Sequence, residues 1–501
     1  MTYAEIHWSL QSVFPVLSAL QWLPLAMMLL VMAQRSSRAG MRVALAGSLG
    51  ELLLAAWLYL QFDVRQSSMQ FAEFSHFLSY HAAVDGMGLL FILLTALLLL
   101  MVLVYSLTFG HPLRRRELAA VLAVQSALIV QFTTLNLLWF LLASGIQLAL
   151  VGYLLRQRST SPQTDLALSR YFQFMAVGLL LLSLGIVMLG WNHAHSLGVW
   201  QFDLFDLARL KLPAEVRSTV FFLLFYGLAI RIPLFPLHGW LPLVAEHGTV
   251  AVAGVMLIGI KVGIYGLVRF VFPLLPDAVA QWQVYVMAFA TAGIFYAALL
   301  ALLQRNLRRL LAFAVISHSG IMIIGLFSLE HAAFQGSLLL AVNYGIAGAG
   351  LLFMTGMVNR HAGTLLLDRL GGLFDRLPLV GITFLVAGLS IAGMPGTPGF
   401  DAAHLVLEAA IMRFGALPSI AASLGNVIAA GFLLFAFQKA FLSSAGDRDP
   451  ERAVRPATMT ERLLALSLVA VLLMTGFYSQ PWMRLVDASL QPLSALFDGH
   501  E

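Results

Sequence analysis

A lysine, an arginine and a histidine each stand inside a long apolar run. Arg231 lies in FFLLFYGLAIRIPLFPLHGWLP, Lys261 in AVAGVMLIGIKVGIYGLVRF and His318 in LLAFAVISHSGIMIIGLF. A charge inside a bilayer costs about 2.5–3.5 kcal/mol on insertion scales, so such residues persist where they face water, a partner or a moving ion. A desolvated lysine amine can titrate and pass protons, and imidazole is the natural relay near neutral pH. Guanidinium stays protonated, which makes Arg231 a fixed field or an anion contact. A lone cation could instead be paired for stability, and a helical histidine could be a hydrogen-bonded packing residue. Two cations beside a run broken by Pro233 and Pro236 favour a transport pathway, and Ser317 and Ser319 favour a relay at His318.

Asp401, His404 and Glu408 form a second set. Their i, i+3 and i, i+4 spacing puts all three on one helix face, as a titratable exit ladder would require. A helix end with solvated polar residues would give the same spacing. Ser144, Gln147, Gln125, Asn343 and Tyr344 could line the same polar axis, and Glu51 is an intramembrane acid without an obvious local partner. His238, Glu246 and His247 could form the inner mouth of a path, or a wet loop. No nucleotide-binding loop, HExxH or metal-ligand cluster occurs, so no cofactor and no metal is expected.

The elements that carry these residues must be membrane helices. Of 501 residues 60% are hydrophobic and only 11% charged, with a mean hydropathy of +0.88. Soluble globular chains carry about 25% charged residues. There is no cysteine, which excludes cysteine-ligated iron–sulfur clusters, c-type haem attachment and disulfides. The opening MTYAEIHWSL has no Lys or Arg to begin a signal peptide.

A crossing needs about 20 mostly apolar residues. Fourteen such spans are expected, centred near residues 22, 52, 97, 126, 145, 181, 227, 260, 292, 317, 345, 387, 430 and 470. Segments 193–217 and 443–460 read as loops, the first with a short amphipathic helix. Alternate loops differ in charge. One set holds nineteen arginines, among them Arg35, Arg114, Arg156, Arg305, Arg360 and Arg448, and the other holds only seven basic residues. That asymmetry accounts for the net charge of +5 without nucleic acid, and it places both termini on the outer side. Spans seven and twelve are the interrupted ones, the second at Pro395 and Pro398. They stand five apart, which predicts that spans four to eight recur, inverted, as spans nine to thirteen; inverted repeats with broken helices are a transporter signature. The expected organisation is therefore an all-α polytopic membrane protein: helices 1–3 over 1–116, one repeat over 117–271, its inverted copy over 281–443, and helix 14 with a tail over 460–501.

AIRIPLFPLHGWLP at 229–242, KVGIYGLVRF at 261–270, RRLLAFAVISHSGIM at 308–322 and GMPGTPGF at 393–400 resemble the antiporter-like proton-translocating subunits of complex I. The match is nearest to the M-type (NADH dehydrogenase subunit 4) family, with relatives in Mrp antiporters, membrane hydrogenases and inorganic-carbon uptake systems. The resemblance implies fourteen helices and a central polar axis in which protons move by side-chain and water relay. It puts the family's helix-seven lysine at Arg231, its helix-eight lysine at Lys261 and its helix-ten histidine at His318. The family's helix-five glutamate falls near Ser144, its helix-eleven histidine at Tyr344 and its helix-twelve charged residue at Ala403, between Asp401 and His404. The resemblance thus implies a divergent subunit of a proton-translocating complex in a bacterial inner membrane. Its partners would be other membrane subunits and lipid, with protons, Na+ or bicarbonate as the coupled species. A feeder of cation exchange or bicarbonate uptake, or a non-conducting structural subunit, are the alternatives.

Overall fold

The computed structural model describes residues 14–75, 80–108, 113–157, 159, 161–249, 253–444 and 456–498. The N-terminal decapeptide and most of the 443–460 loop lie outside the described residues. Eleven described helices are long and apolar enough to cross a membrane. They are α1 (Val16–Ala33), α2 (Ser37–Gln61), α3 (Gly86–Leu107), α4 (Arg115–Thr133), α5 (Leu137–Arg156) and α6 (Thr164–Leu197). After the short α7 (Leu204–Ala208), α8 (Ala214–Arg231), α9 (Leu241–His247), α10 (Ala253–Gly266) and the three-residue α11 (Phe272–Leu274), the set continues with α12 (Pro276–Leu302), α13 (Leu307–Phe327) and α14 (His331–Ala362). The short apolar α15 (Pro378–Ile391) and α16 (Pro398–Phe414) precede α17 (Ala416–Phe437) and α18 (Met459–Phe477), the last two spans. α19 (Gln480–Ser494) closes the chain.

Burial sorts the helices by role. α13 and α14 are buried along almost their whole length, whereas α1, α2, α6 and α18 expose broad apolar faces such as Trp22, Leu53, Leu180 and Leu463. The helices that carry His318 and Tyr344 therefore form the centre, and the lipid-like surface lies outside them.

The all-α expectation needs one correction. β1 (Gln70–Ser75) and β2 (Tyr80–Val84) pair as an antiparallel hairpin between α2 and α3. The run MQFAEF and the run YHAAV are each too short and too polar to span, and they satisfy their backbone groups by pairing instead. The hairpin fixes helix ends. The Glu73 carboxylate accepts from Leu17 N and Ser18 N at 2.8 and 2.9 Å, which caps α1. Asp85 caps α3 through Gly88 N at 2.9 Å and also pairs with Arg269, both side chains being almost fully buried. Arg269 Nε donates to Tyr265 Oη at 3.0 Å, and that hydroxyl donates to the Phe132 carbonyl. Breaking such a pair strands a buried charge, so Arg269→Leu is expected to cost about 3–5 kcal/mol. Thermal unfolding in detergent reads this as a Tm several degrees lower, and an unchanged Tm would show that the pair carries no net stabilisation.

The last apolar stretch is followed by a second helix that the sequence reading treats only as a tail. α19 is amphipathic: Leu485, Val486, Leu490 and Leu493 are buried against the bundle. Ser489 Oγ accepts from Gly86 N at 2.9 Å, and the Leu485 carbonyl lies where a side chain at residue 86 would stand, so α3 must begin with glycine. α19 thus seals the starts of α3 and α14, where His331 Nε2 meets Asp487 at 2.9 Å.

Several features occur twice along the chain. Asn136 caps α5 through Leu138 N, and Asn306 caps α13 through Arg308 N, both at 2.9 Å. Each asparagine also makes an isolated antiparallel bridge, Asn136 to Asp203 and Asn306 to Leu366. α6 and α14 both end on a left-handed glycine, Gly198 and Gly363. α8 and α15 both stop short before proline-containing turns. Finally, π turns at Leu267–Val271 and Gln438–Leu442 end α10 and α17.

Candidate functional site

The first interruption follows Arg231. Pro233 and Pro236 lack the N–H that would continue the ladder, and the chain turns until Leu241. The turn is stitched by Trp240 Nε1, which donates to the Ile230 carbonyl at 3.0 Å. Arg231 is left at the helix terminus, 3% exposed. Its Nη2 donates to Gln147 Oε1 at 2.5 Å and Gln131 Oε1 at 3.3 Å. Ser144 Oγ donates to that same Gln131 oxygen at 3.1 Å. Gln131 was not singled out in the sequence; its position on α4, the neighbour of α5, only becomes meaningful once those helices pack.

Lys261 lies in α10 and is 1% exposed, with no carboxylate within ion-pair distance among the described residues. Its Nζ sits over the Tyr344 ring, 5.8 Å from the centroid. The His318 ring meets the same tyrosine edge-on at 4.9 Å. Tyr344 therefore lies against both titratable groups, with Lys261 Nζ over its ring and the His318 ring perpendicular to it. His318 Nδ1 bonds the Ala314 carbonyl at 2.7 Å, which leaves Nε2 buried without a partner. The Tyr344 hydroxyl is likewise unpartnered. Ser317 and Ser319 are bonded to the Ile294 and Ile316 carbonyls and take no part in this contact. Unsatisfied buried polar atoms cost free energy unless water or a ligand meets them, and here they cluster around one tyrosine.

Asn343, one residue before Tyr344, reaches the second interruption. Its Nδ2 donates to the Ser390 carbonyl at 3.0 Å, and Ser390 Oγ donates back to its Oδ1 at 2.6 Å. Gly393 and Gly396 adopt φ of 71° and 84°, which only glycine takes readily. A Cβ at Gly399 would come within 2.1 Å of the Ser390 carbonyl and 2.7 Å of Asn343 Nδ2, so Gly399→Ala must displace this junction. Pro395 lies within the turn and Pro398 begins α16.

On α16, His404 and Glu408 share an exposed face, with Nε2 and Oε2 3.7 Å apart. Asp401 is half-buried and accepts from Ser479 Oγ at 2.5 Å. The three lie along one side of the helix as their spacing requires, but Asp401 is drawn toward the α18–α19 junction. The first turns of α16 pack on Gly325 and Gly336, near the end of α13 and the start of α14. The residues after the second interruption thus lie toward the bundle face opposite the arginine-rich loops. At the arginine-rich face, Glu246 accepts from Arg309 Nη1 at 3.3 Å and Asn306 Nδ2 at 3.4 Å, and His247 Nδ1 meets Ser161 Oγ at 2.8 Å. His238 is buried in the first turn, stacked on Phe235 and edge-on to Tyr296. An apolar cavity is lined by Leu241, Val244, Arg308, Ala314, Leu351 and Ile391, and so lies beside the turn of α13 that precedes His318. Glu51 stands apart on α2, fully buried and without a partner; Ser48, one turn before it, donates to Gln125 at 3.3 Å.

These features coincide with a known group of membrane proteins. The family model described as NADH:quinone oxidoreductase/Mrp antiporter, transmembrane, matches residues 134–429. Subunit M of the NADH-quinone oxidoreductase of Rickettsia prowazekii is 27% identical over 444 residues, covering 85% of this chain and 88% of that protein. A chain of respiratory complex I from Thermus thermophilus superposes with a TM-score of 0.83 at 26% identity, covering 96% of this chain and all of that one. A chain of the Mrp complex from Dietzia shares the fold, with a TM-score of 0.85 at 19% identity over 96% of this chain and 99% of its own. The matched segment runs from the end of α4 to α17 and contains Arg231, Lys261, His318 and both interruptions, so the chain belongs to the NADH:quinone oxidoreductase/Mrp antiporter transmembrane family.

Proposed function

We propose that the chain moves protons through a central polar axis, as a membrane subunit of an assembly related to NADH:quinone oxidoreductase. The observation that carries this reading is the buried contact of Tyr344 with both Lys261 and His318, with Asn343 leading on to Ser390 at the second interruption. In this reading protons are taken up at the arginine-rich face near His238, Glu246 and His247. They cross the apolar cavity when it is wetted and exchange between Lys261 and His318 through water bonded to the Tyr344 hydroxyl. They leave past Asn343 toward Asp401, His404 and Glu408. Arg231, with Ser144 and Gln147, supplies a fixed field in the first half of the path, because guanidinium does not release its proton.

The same reading gives fourteen crossings. To the eleven long helices it adds α8 with α9, α10 with its π turn, and α15 with α16. The paired asparagine caps, terminal glycines, interruptions and π turns support an inverted repeat of 117–271 onto 281–443, flanked by 1–116 and 460–501. Positive-inside counting then sets the arginine-rich face in the cytoplasm and both termini outside, in a bacterial inner membrane. Partners are other membrane subunits. The likeness to an Mrp chain keeps a second reading in view, in which the same axis serves cation exchange or inorganic-carbon uptake.

Liposomes holding the purified assembly, loaded with a pH-sensitive dye, test the proposal. Imposed membrane potential should drive a proton flux that disappears with the chain's relay variants. A flux no faster than that of empty liposomes would favour the purely structural reading. On the exit side, Asp401→Asn and His404→Ala should each slow that flux by about threefold or more, with a joint effect smaller than the product because both serve one route. Independent, multiplying effects would place the exit elsewhere.

A further inference from the structure

Glu51 is a buried acid for which the central axis has no use. It stands on the inward stripe of α2, in line with Met41, Ala44, Ser48, Ala55 and Leu58. Both carboxyl oxygens are buried and make no hydrogen bond. A carboxyl group so placed either keeps its proton or needs a cation beside it. Among the described residues no cation pairs with it. The helices packed on α2 offer none nearby: α1 has no titratable side chain, α3 has only Tyr105, and α4 has Arg115, Arg116 and Glu117 in its first turn. Glu117 lies about 12 Å along α4 from Gln125, and Arg38 and Arg42 of α2 itself lie farther than that from Glu51 along their own axis.

The polar side chains near Glu51 continue in one direction only. Ser48 Oγ donates to Gln125 Oε1 at 3.3 Å, while Gln125 Nε2 is buried without a partner. Water between that amide and the carboxyl group satisfies both. Ser126, next on α4, turns to α1 and donates to the Gln21 carbonyl at 2.8 Å. Gln21 Nε2 in turn donates to Thr133 Oγ1 at 2.8 Å, and the Tyr80 hydroxyl of the hairpin lies beside both side chains. Each of these groups both donates and accepts, as a proton-carrying chain of water and side chains requires. α1 begins at the hairpin and α2 and α4 end there, so the track opens on that face. Glu51 stands about 15 Å from the end of α2, half the depth of a hydrocarbon core. Toward the arginine-rich face the stripe holds only Gly47, Ala44, Met41 and Gly40, and α4 from Leu118 to Val124 is wholly apolar. We propose that Glu51 is a proton-binding site in contact with the hairpin face alone, a store for one proton apart from the Lys261–His318 axis. This inference rests on the α1–α2–α4 interface and stands whether or not the central axis conducts.

Infrared difference spectroscopy of the whole assembly in lipid nanodiscs tests it. A neutral carboxyl group gives its own C=O band, which moves down when a deuteron replaces the proton. Subtracting the spectrum of Glu51→Gln from that of the unaltered chain should leave one such band, and transfer to heavy water should shift it. Gln21→Leu with Thr133→Val removes the polar steps near the hairpin and should slow that shift at least tenfold. Lys261→Ala should leave both the band and its exchange rate unchanged. Two spectra without a neutral-carboxyl difference would overturn the proposal. Exchange undiminished in the track variant would overturn the route, and exchange lost in Lys261→Ala would make Glu51 part of the central axis. If the double track variant fails to accumulate, the nearly isosteric Thr133→Val decides alone, and an unchanged rate there counts against the route.

Discussion

Lys261→Ala is expected to stop proton flux while leaving the protein assembled. The side chain is buried, makes no ion pair with any described carboxylate and touches the Tyr344 ring. Its removal therefore breaks no buried salt bridge and strands no opposite charge, so the folding penalty is limited to lost packing. The transport penalty is larger. A positioned proton donor or acceptor contributes about 10²- to 10⁴-fold to a transfer step, and no other titratable side chain lies on α10 between residues 253 and 264. Flux into dye-loaded liposomes should fall by about a hundredfold or more on that scale. Lys261→Arg should fare little better, since it restores charge without restoring exchange. Near-normal flux in Lys261→Ala at normal protein level would remove this lysine from the path.

His318→Leu carries the second large effect. The imidazole's Nδ1 is fixed to the Ala314 carbonyl while Nε2 makes no hydrogen bond of good geometry, so the ring is oriented but not saturated. Leucine is of similar size and apolar, and it frees one carbonyl that the helix already bonds. Stability should hardly change. Loss of the relay should slow flux by about a hundredfold, within the usual range for a positioned acid–base group. His318→Gln, which keeps hydrogen bonding without titrating, should be as slow as leucine. If the glutamine variant instead retained most of the flux, His318 would act by polarity alone.

Much of this was legible in the sequence because membrane helices obey strong local rules. Apolar runs and proline–glycine clusters mark long apolar helices and interruptions one segment at a time, and Arg231, Lys261 and His318 stand out as polar residues in apolar surroundings. What escaped depends on contacts between distant segments. Gln131 gains its role only when α4 packs on α5 and the Arg231 side chain reaches it from the end of α8. Tyr344 reads as one polar-axis residue among several until α10 and α13 bring both Lys261 and His318 against its ring. The Glu73 cap on α1, the Asp85–Arg269 pair and α19 sealing α3 join residues dozens to hundreds of positions apart. The hairpin escaped because strand alternation over five or six residues is faint beside helical runs of twenty. Asp401, His404 and Glu408 show the opposite case. Their helical spacing was plain, but the bond from Ser479 that draws Asp401 aside comes from the far end of the chain.

The account stands on Lys261, Tyr344 and His318 working as one unit. A double-mutant cycle on flux, with Lys261→Ala, His318→Leu and both together in the same liposomes, tests it most directly. If protons pass between the two residues, either single change already blocks the step, and the double variant should be no slower than the worse single one. Effects that multiply in the double variant would mean that the two residues serve separate steps or separate routes, and the shared axis through Tyr344 would be wrong.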